Sequence, residues 1–170
     1  QIHVRYYTIR AIDRVSKELT LDIVLHDHGR IAQWAKSAKP GAEVGIMGPA
    51  GGKIPEVSGK AFLAGDMTAL PAISRILEYW KGKSDGVVIV PQSAVNCSNR
   101  YIPDTKMQVV PAFDMNFHEF VLEQARHIAG VEYAWFGGEF QTAQKMRNHF
   151  KTIFELGKSQ QVSVSYWRKG

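Results

Sequence analysis

The chain has 170 residues, of which 45% are hydrophobic and 22% charged, a composition that excludes an intrinsically disordered protein. No apolar run approaches the roughly 20 residues of a membrane-spanning helix, and a single cysteine, Cys97, excludes an internal disulfide and suits the cytoplasm. The net charge of +5 lies after residue 140, where six basic residues accompany Glu155 alone, which favours either an anionic partner or a solvated helix face.

The first elements are short and β-rich. Apolar alternation predicts strands over residues 4–9 and 19–25, a short helix over 31–38 and a third strand over 43–47. Three strands cannot close a barrel. We therefore expect residues 1–52 to be the second half of a larger β domain, or alternatively a three-stranded sheet packed on the layer that follows.

After the linker GPAGGKIPEVSGK the pattern changes to strands that alternate with helices. Helices are predicted over residues 69–80, 117–128 and 140–156. The strands have continuous apolar runs, which are typical of a parallel sheet covered on both faces. The sequence thus predicts an α/β domain over residues 58–170, with strands at KAFLAG, GVVIV, MQVVP, EYAWFGG and QVSVSYW.

The stretch RYYT, residues 5–8, has an unusual content for a core strand. In a pleated strand, Arg5 and Tyr7 would share one face roughly 7 Å apart. That spacing suits a cation on a pyrophosphate and a ring against an aromatic cofactor, with the Thr8 hydroxyl beside them. The alternative is an edge strand that carries amphipathic residues at its rim.

The stretch HDHGR leads into the first predicted helix. Gly29 allows a turn there, and the free N–H groups of a helix start attract phosphate. His26 and His28 lie two residues apart, but no further ligand at matching spacing accompanies them, so no metal site is predicted.

Two strand ends of the α/β part have polar residues in loops. In AGDMTALPA a strand ends at Gly65, Thr68 is the predicted N-cap and Pro71 falls in the first helical turn. In WFGGE, Gly137 and Gly138 allow close approach to the backbone, and Glu139 opens the next helix. Such ends bind ligands at the carboxyl edge of a parallel sheet, although the G-x-G-x-x-G fingerprint is absent.

The order of five motifs resembles the siderophore-interacting protein family. The motifs are R-x-Y-T, H-x-x-G-R-x-A-x-W-A, G-D-x-T-A-x-P-A, G-G-E and, near the end, Y-W-R-x-G. The family consists of flavin-dependent ferric-siderophore reductases related to ferredoxin reductases. The resemblance implies an FAD-binding β-barrel followed by an NAD(P)H-binding α/β domain. Because the family's barrel has further strands before R-x-Y-T, this chain is expected to be truncated.

The resemblance also implies residue roles. Tyr7, Thr8 and Trp167 are expected beside the reactive flavin ring and are the predicted catalytic residues. Lys158, Arg168 and Lys169 would attract the anionic ferric complex. The residues expected to bind the cofactors are Arg5, Tyr7, Thr8, His26, Gly29, Arg30, Ile31, Ala32, Asp66, Thr68, Ala69, Gly138 and Glu139.

The resulting hypothesis is a reductase that passes electrons from NADPH or NADH through FAD to a ferric siderophore. Alternatives are the same reductase with ferredoxin as donor, and a non-catalytic module that binds siderophore or flavin. Nucleic-acid binding has no recognition motif in support. A monomeric protein of the cytoplasm without membrane contact is expected, and Arg100 is a candidate reader of a 2′-phosphate.

Overall fold

The amino-terminal part of the chain forms a two-stranded antiparallel ribbon and one helix. The structure, a computed structural model, describes residues 4–27, 29–48, 54–57, 59–95 and 101–169. Strands β1 (Ile9–Asp13) and β2 (Glu18–Leu21) pair across a turn, in which the Asp13 carboxylate accepts hydrogen bonds from the backbone of Val15 and Ser16 at 2.8 and 3.2 Å. Helix α1 (Arg30–Ser37) follows, within one residue of its predicted bounds.

The strand predictions in this part were largely wrong. Residues 4–8 lie before β1 and have no strand assignment, β2 ends at Leu21 rather than at residue 25, and residues 43–47 form no strand. The alternating pattern marks an apolar face, but a strand also needs a partner for its backbone hydrogen bonds. Val44, Ile46 and Met47 are in fact more than half exposed. The prediction that Arg5 and Tyr7 share one face depended on a strand over residues 4–9, and residues 4–8 have no strand assignment.

The carboxyl-terminal part is an α/β layer, as predicted. Its parallel strands are β3 (Lys60–Gly65), β4 (Asp85–Pro91), β5 (Gln108–Ala112), β6 (Val131–Glu139) and β7 (Gln161–Trp167). The helices are α2 (Leu70–Trp80), α3 (Gln92–Val95), α4 (Phe117–His127) and α5 (Phe140–Ile153). Two 3₁₀ turns, Met67–Ala69 and Asp114–Asn116, precede α2 and α4. Helix α5 is shorter than predicted because the chain turns at Glu155, where φ is +56°.

Helices cover both faces of the sheet and create two cores. On one face, α2 contributes Ile73 and Leu77 to a cluster that contains Leu63 and Trp135. On the other face, α4 and α5 meet the sheet in a cluster whose largest members are Phe62, Phe136, Met146 and Phe150. The continuous apolar strands of the sequence are explained by this double burial.

The strand order β5-β4-β3-β6-β7 determines where a ligand can bind. From β3 the chain adds β4 and β5 on one side, and then crosses back to place β6 and β7 on the other. The connections therefore diverge between β3 and β6, which leaves a crevice at their carboxyl ends. Gly65 and Gly137 are register partners at that point.

The ribbon contacts the α/β layer through an ion pair. The Arg10 guanidinium lies 2.7 Å from the Glu78 carboxylate on α2, and Arg75 approaches the other oxygen of Glu78 at 2.9 Å. Farther along, the Trp80 indole donates to the Pro55 carbonyl at 2.7 Å, so residues of the predicted linker also pack on α2. The ion pair thus holds β1 against α2, and the indole bond holds the linker against the same helix.

Replacing Glu78 with glutamine is expected to destabilise the protein at neutral pH by less than about 1 kcal/mol, because the pair is partly exposed. Burial raises the pKa of Glu78, but hydrogen bonds and charges from Arg10 and Arg75 outweigh it and hold the pKa below its ordinary value of 4.5. The stabilisation is therefore present above pH 4.5 and is lost as the pH falls below it. Urea titrations of both proteins from pH 7 to pH 3 should converge; a constant difference would contradict the ion pair.

Candidate functional site

Asp66 lies at the centre of the crevice between β3 and β6. Its backbone N–H donates to the Gly137 carbonyl at 3.2 Å, which continues the β3–β6 pairing one residue beyond the strand. Its side chain caps the 3₁₀ turn, because Oδ1 accepts from the Thr68 backbone N–H at 2.9 Å and from the Thr68 hydroxyl. The cap is thus Asp66 and not Thr68 as predicted, since the helical turn begins earlier than the periodicity indicated. Pro71 does fall in the first turn of α2.

Trp167, the last residue of β7, reaches Asp66 across the end of β6. Its indole Nε1 donates to Oδ2 of Asp66 at 2.8 Å, while the side chain stays 44% exposed. Both carboxylate oxygens of Asp66 are therefore engaged by residues of the chain itself. Asp66, Thr68 and Trp167, which are far apart in the sequence, form one hydrogen-bonded group.

The glycine pair on β6 makes room for these side chains. A Cβ atom on Gly138 would lie 2.6 Å from Oδ2 of Asp66, and one on Gly137 would lie 2.5 Å from the Trp135 ring and 2.8 Å from the Tyr166 ring. Ordinary carbon contacts are at least 3.4 Å, so only glycine leaves space there. The close approach that the sequence indicated is made by the chain's own carboxylate and phenol.

Glu139 begins α5 and closes the other side of the crevice. Its Oε2 accepts from the Thr142 backbone N–H at 3.0 Å, which makes Glu139 the N-cap of the helix that it was predicted to open. Burial raises the pKa of Glu139, but the nearby backbone N–H groups of Thr142, Gln141 and Lys169 outweigh it and hold the pKa below its usual range. The other oxygen, Oε1, is buried and has no hydrogen-bond partner among the described residues. Glu139 thus has a carboxylate oxygen whose capacity to accept a hydrogen bond is unused by the described residues.

Tyr166 joins β7 to the amino-terminal part. The hydroxyl oxygens of Tyr166 and Thr8 lie 3.5 Å apart, and burial raises the pKa of the Tyr166 phenol. Tyr7, the residue before Thr8, is 38% exposed, and burial raises its pKa as well. Tyr7 immediately precedes Thr8 in the chain, and Trp167 immediately follows Tyr166. Both rings are exposed.

The last residues of β7 lead onto the start of α5. The Arg168 guanidinium lies 4.0 Å from the centre of the Phe140 ring, in a cation–π contact. Lys169 follows, exposed, at the same carboxyl edge. Lys158 lies in the turn before β7, at the amino edge of the sheet, and β7 separates it from Arg168 by roughly 20 Å. Arg168 and Lys169 therefore lie together, whereas Lys158, which was expected beside them, lies at the opposite edge of the sheet.

The remaining predicted site residues lie around α1 and in the opening segment. Gly29 is the N-cap of α1 with φ +92°, and no side chain caps this helix. His26 lies beside Gly29, Arg30 is exposed, Ile31 is half-buried and Ala32 is buried. Arg5 is exposed and donates to the Val4 carbonyl at 2.8 Å. Ala69 is buried in the 3₁₀ turn.

Two residues of the site were not predicted, and three residues considered in the sequence lie outside the ranges that the structure describes. Phe140 had no predicted role in the site, and Tyr166 had none beyond its place in the motif Y-W-R-x-G. His28, Cys97 and Arg100 fall outside the described residues. Within the described ranges, no three potential metal ligands cluster and no helix is long and apolar enough to cross a membrane.

Comparison with protein families gives two matches along the chain. The family model described as siderophore-interacting FAD-binding domain matches residues 1–53. The model described as siderophore-interacting protein matches residues 59–170, which is most of the chain.

Among curated relatives, the protein Rv2895c of Mycobacterium tuberculosis is 42% identical over 186 residues, covering 98% of this chain. The ferric vibriobactin reductase ViuB of Vibrio cholerae is 26% identical over 179 residues, with the same coverage. The chain spans 65% of the length of each relative. The crystal structure of the siderophore-interacting protein SipS from Aeromonas hydrophila is similar with a TM-score of 0.73 and 27% identity, over 97% of this chain and 73% of that one.

Proposed function

The chain belongs to the siderophore-interacting protein family, and from this premise we propose that it acts in a flavin-dependent reductase of ferric siderophores. Residues 1–52 would contribute to the FAD site and residues 58–170 would form the NAD(P)H-binding domain. The relative named ferric vibriobactin reductase supports this assignment of activity. A monomer in the cytoplasm is the proposed form.

The residues at the crevice fit a flavin. The hydroxyls of Thr8 and Tyr166 lie 3.5 Å apart, and their chain neighbours Tyr7 and Trp167 are 38% and 44% exposed, so both rings are open to a planar ring system. This juxtaposition is the observation that carries the proposal. Bound FAD would supply acceptance of a hydride from the nicotinamide and donation of single electrons to Fe(III).

The chain's own residues would hold and orient that cofactor. Tyr7 and Trp167 would flank the ring and exclude water from it, and the Thr8 hydroxyl would donate to its edge. The unfilled helix start at Gly29 and Arg30, with the exposed guanidinium of Arg5, would receive the pyrophosphate. His26, Ile31 and Ala32 would shape that turn. Thr68 and Ala69 would border the flavin through the 3₁₀ turn.

Glu139 and Gly138 would border the nicotinamide of NADPH or NADH. The buried oxygen Oε1 of Glu139 lacks a donor among the described residues, and a buried acceptor without a donor is costly. The carboxamide N–H of a nicotinamide is a donor of suitable size. Glu139 would in this way orient the ring at the carboxyl ends of β3 and β6.

Arg168 and Lys169 would attract the anionic ferric siderophore to the same edge. Arg168 is held over Phe140, which fixes its charge near the crevice. Once reduced, Fe(II) binds hard oxygen ligands less tightly than Fe(III), so reduction would release the metal. The protein's part is to position and to attract, and an acid–base pair is not required.

The proposal is tested by adding FAD to the purified protein and measuring reduction of a ferric siderophore with NADPH, NADH and reduced ferredoxin. We expect a yellow protein and formation of Fe(II), trapped by a ferrous chelator, with a nicotinamide donor. A protein that stays colourless after FAD addition would contradict the proposal. A yellow protein without turnover would show that the chain is a non-catalytic binding module. Turnover with reduced ferredoxin alone would show that ferredoxin, and not NADPH or NADH, is the electron donor.

Replacing both Arg168 and Lys169 with alanine is expected to raise the KM for the ferric siderophore by about two- to thirtyfold, because exposed ion pairs contribute about 0.2–1 kcal/mol each. The salt dependence of the KM should fall as well. The matched control, Lys151→Ala with Lys158→Ala, removes the same charge from residues far from the crevice. Equal rises in KM for both pairs would mean that net charge, rather than placement, attracts the substrate.

A further inference from the structure

We infer that Asp66 is a positioning residue, which orients the indole of Trp167 at the crevice and acts on the flavin only through that ring. The role of the ring rests on the proposed function, whereas the anchoring of the ring does not. The inference replaces the expectation that Asp66 itself lines the flavin.

The hydrogen bonds of Asp66 leave it few ways to serve a ligand. Oδ1 accepts from the Thr68 backbone N–H at 2.9 Å and from the Thr68 hydroxyl, and Oδ2 accepts from Trp167 at 2.8 Å. An ionised carboxylate can only accept, so it could not donate to a flavin nitrogen or oxygen. Three of its roughly four lone-pair positions are already taken by donors of the chain.

The indole of Trp167 depends on this bond more than a core tryptophan would. An indole has a single donor, so the bond to Asp66 selects one orientation of the ring. Trp167 is 44% exposed and ends an edge strand, whereas Trp80 and Trp135 are 3% and 5% exposed. Packing alone therefore restricts the orientation of the Trp167 ring only weakly, and the hydrogen bond to Asp66 supplies the remaining restriction.

The backbone is arranged so that the bond can form across a strand. Trp167 follows a register irregularity between β6 and β7, at Gly138 and Glu139. Gly138 lies under the bond, and a Cβ there would collide with Oδ2 of Asp66. The ends of β3, β6 and β7 are thus joined at one point, and the residue before Trp167, Tyr166, makes the contact with Thr8. A ring that is oriented before binding loses less entropy when a flavin stacks on it.

The first test observes Trp167 in the protein without flavin. In a ¹H–¹⁵N spectrum the chain's four indoles give separate signals, and Trp167→Phe identifies the one that belongs to Trp167. Asp66→Asn keeps the size of the side chain, but its amide can accept from only one of the two N–H donors. We expect it to shift the Trp167 signal and to increase acrylamide quenching of that residue, with the signals of Trp80 and Trp135 unchanged.

Thr68→Val is the matched control, because it removes the Thr68 hydroxyl but retains the backbone N–H that Asp66 accepts from. It should leave the Trp167 signal in place. An Asp66→Asn protein that is folded and whose Trp167 signal does not move would overturn the inference.

The second test separates an indirect effect from a direct one. Asp66→Asn is expected to weaken FAD binding about three- to tenfold, the loss for one hydrogen bond. In a Trp167→Phe background, where a ring remains but the bond is gone, Asp66→Asn should have no further effect. A further loss of FAD affinity in that background would mean direct contact and would overturn the inference. If no variant binds FAD, the proposed function fails, and the spectra still decide whether Asp66 orients Trp167.

Discussion

Replacing Gly86 with alanine is expected to lower the free energy of unfolding by about 3–5 kcal/mol. Gly86, the second residue of β4, has φ +120°, a conformation that side-chain-bearing residues rarely adopt. A Cβ there would overlap the carbonyl oxygen of Ala61 on the neighbouring strand, and neither backbone can move without breaking the β3–β4 pairing. Urea denaturation followed by circular dichroism measures the loss.

Gly45→Ala is the control for this prediction. No atom lies within 4 Å of a Cβ at Gly45, so the change in stability should stay within about 0.5 kcal/mol. Equal stability of the Gly86 and Gly45 variants would contradict the close approach of the β4 backbone to Ala61 on β3.

Replacing Phe150 with alanine is expected to lower the free energy of unfolding by about 3–5 kcal/mol, the usual range for a buried phenylalanine. Phe150 is fully buried, with its ring centre 5.6 Å from that of Phe62 on β3 and 5.8 Å from that of Phe154. It attaches α5 to the sheet, and α5 begins at the crevice. The midpoint of urea denaturation reports the loss.

Phe113→Ala removes the same ring from a residue that is 81% exposed, and it should change stability by less than about 0.5 kcal/mol. Comparable losses for the two variants would argue that α5 does not depend on this aromatic cluster.

The sequence predicted the α/β layer well and the opening ribbon poorly. Strands β3 and β7 have the bounds that were predicted, because their apolar runs are buried on both faces or end at clear turns. Residues 4–8 and 43–47 have the same alternation of side chains, yet they form no strand. A strand's existence depends on its partner, and side-chain alternation carries no information about that partner.

Much of the site could be predicted for a topological reason. Residues at the ends of parallel strands meet at one edge of the sheet, so Asp66 and Glu139 were expected at a common edge, and the family resemblance added Trp167 to them. Lys158 precedes its strand and accordingly lies at the opposite edge. The bond from Trp167 to Asp66 was not predictable, because it joins residues 101 positions apart and depends on an irregular register at Gly138.

The order of the strands also has a bearing on how the chain folds. Strands β3, β4 and β5 can assemble from neighbouring segments, but β6 must find β3 across all the chain between them, which is the slower event for a chain of this topology. The crevice is the seam between these two halves. A chain halted before the halves join would have a partial sheet and no crevice, so the dinucleotide proposed to bind there would stabilise only the finished sheet and would draw the last step of folding to completion.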